Sequence, residues 1–224
     1  MRSLLALAAI LVAACSAPES SQAQSAAPQA EPVRIEAPAW IRVSGVEQGD
    51  VLNARAEPDA GSEIVGSFNP GQGPVEIVEV REINGNRWGL VATGEWGGWI
   101  NLHYAVPVDL VRIQDSPVPV GTVCHGTEPF WTLGLGPQEA VWSNFEVEQE
   151  TYAITESESA ASRPWPWMFV LDGFGVALLT PGQCSDGMSD TPYAWSVLVV
   201  SRNEEGHVLN EGCCRLEILE EPNE

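Results

Sequence analysis

The chain has 224 residues, and its charge is lopsided: ten arginines, no lysine and 31 acidic residues give a formal net charge of −21. Such a surface repels nucleic acid and anionic lipid head groups, which excludes both as partners recognised by charge. Hydrophobic residues make up 44% of the chain, enough to bury a core in one large domain or two small ones.

At the N-terminus Arg2 precedes an uninterrupted apolar stretch from Leu4 to Ala14. This is the layout of a secretory signal, and it is too short to span a bilayer as a helix. The stretch closes on Val12-Ala13-Ala14-Cys15, which resembles the lipobox of bacterial lipoproteins. The resemblance implies that residues 1–14 are removed as a signal peptide and that the Cys15 thiol takes a diacylglyceryl group and becomes the new N-terminus. Several acyl chains on one residue then give lasting membrane attachment. By the sorting rule of that family, Ser16 directs the protein to the outer membrane of the cell envelope, facing the periplasm. Residues 15–39 are rich in Ser, Ala, Gln, Pro and Glu and have too little to bury to offset the entropy of ordering, so a flexible tether is expected.

Residues 40–107 carry short apolar runs: Val51-Leu52, Ile64-Val65, Val75-Glu76-Ile77-Val78, Trp88-Gly89-Leu90-Val91 and Gly98-Trp99-Ile100. Gly, Pro, Asn or Asp separates them, and no stretch shows a helical period. Short strands at this spacing predict a small barrel or sandwich. The strings Asp50–Gly71, Asn86–Val91 and Gly97–Tyr104 resemble a bacterial SH3 domain, through Leu52, Asn53, Arg55, Pro58, Ser62, Ile64, Val65, Gly66, Trp88, Gly98, Trp99, Ile100 and Tyr104. Ala54 and Ala56 depart from the family pattern but keep small side chains. The resemblance implies a module that binds cell-wall peptides or targets its neighbour, with a groove formed by the loop from Arg55 to Gly61 and aromatic faces such as Trp88, Trp96 and Tyr104. Trp88 and Trp99 read as core, whereas Trp96, between Glu95 and Gly97 in a turn, reads as an exposed indole available to a ligand. His103 stands alone, and no ligand role is expected for it.

The pattern changes near Val108–Pro119, and residues 118–224 form the second expected domain. Apolar runs at Phe130–Leu135, Glu139–Trp142, Phe145–Ile154, Trp167–Leu171, Phe174–Leu179, Trp195–Val200 and Cys214–Leu219 predict seven or eight antiparallel strands in a closed or nearly closed β-barrel, since closure removes exposed edges. Gly173 and Glu205-Gly206 sit where tight hairpins would turn. The fold expected for the whole is therefore all-β, a small SH3-like barrel followed by a second, barrel-like antiparallel domain. With Cys15 lipidated, Cys124, Cys184, Cys213 and Cys214 remain. An even count in an exported chain points to disulfides. Adjacent cysteines on a strand face opposite ways, so Cys213 and Cys214 are expected each to take one of Cys124 and Cys184, in either of two pairings.

Two strings stand out, Cys124-His125-Gly126-Thr127-Glu128-Pro129-Phe130-Trp131 and Cys184-Ser185-Asp186-Gly187-Met188-Ser189-Asp190. With Gly212-Cys213-Cys214 they resemble a family of uncharacterised bacterial envelope proteins, which implies no particular activity. Thr191-Pro192-Tyr193 departs from the Arg and Tyr-Pro order of that family. Glu128-Pro129 reads as a turn into a strand, with Gly126 lending backbone freedom, and Asp186 and Asp190 read as carboxylates folded back onto loop amides. Glu128, Trp131, Asp186 and Asp190 join Arg55, Trp96 and Tyr104 as candidate ligand-binding residues. A sharper alternative gathers His125, Glu128, Asp186, Met188 and Asp190 beside the cysteines as a metal-handling or redox site suited to a soft ion. The spacing has no double C-x-x-C, so neither a metal nor another cofactor is expected. The Arg163–Trp167 segment, rich in Trp and Pro, reads as an aromatic lip or a packed loop. No nucleophile motif, Gly-rich phosphate loop or H-E-x-x-H occurs. The reading is a non-enzymatic, lipid-anchored envelope protein whose partner is peptidoglycan or a cell-envelope protein.

Overall fold

In the computed structural model, which describes residues 34–203 and 206–217, the chain is all-β, with a single 3₁₀ turn at Leu102–Tyr104 and no α-helix among the described residues. The signal segment, Cys15, most of the expected tether, Glu205 and the end of the last expected strand lie outside the described residues. No helix among the described residues is long and apolar enough to cross a membrane.

Eight short strands come first: β1 (Ala39–Val43), β2 (Leu52–Arg55), β3 (Ile64–Phe68), β4 (Val75–Ile77), β5 (Glu79–Ile83), β6 (Asn86–Ala92), β7 (Gly97–Asn101) and β8 (Ala105–Pro107). They make a three-stranded sheet, β4-β1-β8, and a five-stranded sheet, β3-β2-β7-β6-β5. Turn chemistry sets their lengths. Asn84 and Gly85 join Ile83 to Asn86 with φ of 52° and 77°, the type I′ geometry whose twist matches a hairpin. Alternate residues point inward to a core that includes Ile41, Ala54, Ile77, Val91 and Ile100, all fully buried. Ile35 joins this core at 6% exposure, and the Arg87 guanidinium bonds its carbonyl. Residues 34–38, expected as tether, are thus docked: one isoleucine in a polar run found an apolar slot.

The second set is β9 (Thr122–Thr127), β10 (Phe130–Leu135), β11 (Glu139–Asn144), β12 (Glu150–Ser159), β13 (Trp167–Leu171), β14 (Gly175–Cys184), β15 (Tyr193–Asn203) and β16 (Gly206–Leu216). Each pairs antiparallel with the next, and β16 returns to β9, closing an eight-stranded barrel. Period-two alternation fills the interior. Trp131, Leu133 and Leu135 of β10 face in while Phe130 and Thr132 face out, and Cys124, Trp142, Phe169, Leu179, Trp195 and Val199 pack with them. The barrel is a packed core. Two differences from the sequence reading have local causes. The run expected as strand from Phe145 begins only at Glu150, because Asn144 Oδ1 accepts the amides of Glu146 (2.9 Å) and Val147 (2.7 Å) and turns the chain. The string Cys124–Thr127 is a strand, and Gly126 lies inside it without a positive φ.

Gly126 is needed for space. A Cβ there would lie 2.1 Å from Trp131 Nε1, and one at Gly212 would lie 2.2 Å from the His125 carbonyl and 2.8 Å from Trp131 Cζ2. The Trp131 indole thus lies across two glycines on the strands that close the barrel, and stacks on Trp142 with centroids 5.1 Å apart. Beside it the Cys124–Cys214 disulfide joins directly opposed residues of β9 and β16 at a separation of 90, and Cys184–Cys213 closes a shorter loop at a separation of 29. This is one of the two pairings left open by the sequence. On loop-closure entropy alone the bonds are worth roughly 4.5 and 3.5 kcal/mol.

The segment between the two sets contributes Ile113 and Val118, both fully buried, to the barrel's apolar cluster. The same cluster takes in Trp40, Val78, Trp88, Leu90 and Trp99 from the small sheets. Trp40 stacks on Trp195 at 6.4 Å with 12° between planes, and Trp195 Nε1 donates to Glu76 Oε1 at 3.3 Å. Burial pushes the Glu76 carboxyl up from 4.5 to about 7, with the Trp195 indole, the Leu216 amide and the Arg215 charge pulling the other way.

Two expectations follow. Gly126→Ala forces the Trp131 ring out of place and should cost about 1–3 kcal/mol in urea unfolding; an unchanged midpoint would show that the ring relaxes freely. The raised Glu76 value means that its stabilisation is full below about pH 4.5 and is lost as pH rises through about 7. The loss amounts to at most about 3 kcal/mol. Glu76→Gln keeps an acceptor for Trp195 but does not titrate, so it should flatten the fall in Tm across that window; an unaltered slope would assign the fall to other groups.

Candidate functional site

The fold consumes much of the conspicuous sequence. Cys124, Gly126, Trp131, Gly212 and Cys214 are interior, so Trp131, a candidate ligand residue from its string, is corrected to core: it is 3% exposed and packs within the barrel's apolar cluster. Glu128 is exposed on the two-residue turn between β9 and β10 and lines none of the depressions described below.

The loop Cys184–Asp190 is built around Asp186. Its Oδ1 accepts the amides of Met188 and Ser189, both at 2.9 Å, and its Oδ2 accepts the Tyr193 hydroxyl at 2.9 Å and the Ser189 hydroxyl at 3.1 Å. The Thr127 hydroxyl donates to the Asp186 carbonyl at 3.1 Å. Burial alone would raise the carboxyl, but these donors, the Ser189 amide foremost, outweigh it and hold Asp186 below its ordinary value. The side chain folds back onto loop amides, as its Asp-Gly sequence suggested. Asp190 instead stands exposed.

Three depressions share this loop as a wall. One, of about 480 Å³, lies on the outer face of the barrel between His125, Thr180, Ser196 and Glu211, with Cys184, Asp186 and Cys213 at its side. His125 packs edge-on against Tyr193 at 5.3 Å. Burial, then the Arg215 charge, depresses its pKa, so the imidazole is neutral near pH 7. The second runs between the loop and the small sheets past Glu57, Glu79, Arg81 and Trp99, and the third holds Trp96, Met188 and Asp190. The five residues of the sharper alternative are therefore distributed: His125 and Asp186 on one side of the loop, Met188 and Asp190 on the other, Glu128 on a turn. Among the described residues no group of three or more His, Cys, Asp or Glu is placed to hold a metal ion.

A separate groove of about 400 Å³ on the small sheets brings together Arg55, Ala60, Trp88 and Tyr104, and adds Glu47, Asp50, Asn53 and Asn101, which were not among the candidate ligand-binding residues. Arg55 also secures its loop by donating to the Ser62 carbonyl at 2.7 Å. Trp88 is 5% and Trp99 6% exposed, as core, while Tyr104 is 37% and Trp96 58% exposed. Trp96 thus presents the indole its turn suggested, but in the depression beside the Cys184–Asp190 loop and not in this groove. Within the Arg163–Trp167 segment Trp165 packs edge-on against Trp195 at 5.2 Å, while Arg163, Pro164 and Pro166 are exposed.

Compared with protein-family models, curated proteins and solved structures, the chain finds no match.

Asp186→Asn withdraws an acceptor from Tyr193 and Ser189 and should cost about 1 kcal/mol near neutral pH. Because the folded-state pKa is lowered, that stabilisation is present above the ordinary 3.8 and lost as pH falls through the folded value. Denaturant midpoints of wild type and variant should therefore converge in acid; a constant gap would mean that the charge of Asp186 is immaterial.

Proposed function

We propose that this chain is a non-enzymatic lipoprotein of the cell envelope, anchored through Cys15 in the outer membrane, that docks a cell-wall peptide or a wall-associated protein on an SH3-like module formed by residues 40–107. The observation that carries the reading is the convergence of Arg55, Ala60, Trp88 and Tyr104, drawn from separate stretches of the sequence, on a single groove. The resemblance implies a groove built from this loop and these aromatic residues, with Trp96 in addition.

Its chemistry suits a short peptide. The half-exposed Tyr104 ring offers an apolar face, the Asn53 and Asn101 amides offer donors and acceptors to a peptide backbone, and Glu47 and Asp50 offer charge to an amine. The packed barrel interior supports a structural role for the second set of strands, with ligands confined to its outer surface. All four cysteines of the barrel are in disulfides, which leaves a thiol-based metal or redox role without its ligands.

The test is retention of the soluble chain, begun at Ser16, on purified peptidoglycan. The wild type should sediment with the polymer, and Tyr104→Ala should reduce its retention about tenfold, the weight of one aromatic anchor. Equal retention of both proteins would move the contact elsewhere; no retention of either would remove the cell wall as the ligand.

A further inference from the structure

The turn between β6 and β7 is fixed and tied down. The Thr93 amide donates the hairpin bond to the Trp96 carbonyl at 2.8 Å, and the Gly94 carbonyl accepts the Thr191 hydroxyl at 3.1 Å, which holds the turn against the end of the Cys184–Asp190 loop. Across the gap stand two large apolar side chains that the fold does not bury: Trp96 at 58% and Met188 at 67% exposure. They share a depression of about 400 Å³ with Glu95, Asp190, Ser185 and Ser189.

Both charged residues lining this depression are acidic. It shares Ser185, Ser189 and Asp190 with the adjoining cleft, which adds Glu57 as a further carboxylate, Glu79 there being paired with Arg81. The one cation there, Arg81, is already engaged, with its Nε 2.6 Å from Glu79 and its guanidinium 4.5 Å from the Trp99 ring centre. An exposed indole face between carboxylates attracts organic cations twice over, through the ring quadrupole and through charge. A thioether opposite packs adaptably on the methylenes of a long side chain. The walls are preorganised, since Asp186 holds the loop from within and Thr191 fixes the turn.

We propose that Trp96, Met188, Glu95 and Asp190 form a binding site for a lysine or arginine side chain presented by an extended, basic segment of a protein partner. The site is separate from the groove at Arg55 and Tyr104 and does not depend on what that groove binds.

The probe is an acetylated, amidated Gly-Lys-Gly-Lys-Gly peptide, titrated by calorimetry at low salt into the chain begun at Ser16. Its counterpart with both lysines acetylated keeps the length and removes the charge. The lysine peptide should bind, the acetyl-lysine peptide should bind at least about tenfold more weakly, and Trp96→Ala, which leaves the net charge unchanged, should weaken the lysine peptide by about tenfold. Asp190→Asn should weaken it and reduce its salt dependence. Equal binding to wild type and Trp96→Ala would reduce the effect to the general negative field of the protein and overturn the proposal. So would equal binding of the two peptides, or none by the lysine peptide.

Discussion

The closure of β16 onto β9 is the constraint on which the rest of the structure depends, and one aromatic ring decides it. The Trp131 indole needs the space above two missing side chains, Gly126 on the first strand of the barrel and Gly212 on the last. A larger residue at either position would take the space in which the ring lies. With both glycines the ring seats inward on Trp142, and Cys124 and Cys214 come directly opposite each other. Ring, glycines and disulfide are therefore one packing unit assembled from segments far apart in sequence. Closure in turn leaves no strand edge to attract another chain.

That unit explains why the conspicuous strings look as they do. Cys124, Gly126 and Trp131 of the first and Gly212 and Cys214 of the third serve the interior. In the second, Cys184 and Asp186 fix the loop to the barrel. Of the five residues weighed as a metal site, Asp186 is spent in this way, which leaves His125, Glu128, Met188 and Asp190, and two of these four meet Trp96. The division is physical: residues that pack inward or bond their own loop are committed, whereas an exposed thioether and carboxylate beside an exposed indole remain available.

The all-β class and the antiparallel barrel were legible because alternation and turn residues are local signals, strong at Phe130–Leu135 and Trp195–Val200. The disulfide partners were legible down to two pairings, since adjacent cysteines face opposite ways, and only strand register could choose between them. Other features had no local signature. Gly126 looked like a flexible position and is a steric one, because its neighbour Trp131 arrives from the next strand. Trp96 was legible as exposed, but nothing nearby in sequence indicates that its companion across the gap is Met188. Ile35 lies in a run whose composition speaks for disorder, and it is buried by contacts that composition does not record.

The pairing of β9 with β16 also fixes an order of events. In chain order β9 is the first strand of the barrel, paired on one side to β10, and its second partner, β16, follows all the other barrel strands. The small sheets have no such debt, since their strands find partners within Ala39–Pro107. The barrel must wait for almost its entire length, and loop closure over such a span slows folding. During that interval the bare flank of β9 and the unpaired Cys124 are the chain's most vulnerable points, open to pairing with the wrong strand or the wrong thiol.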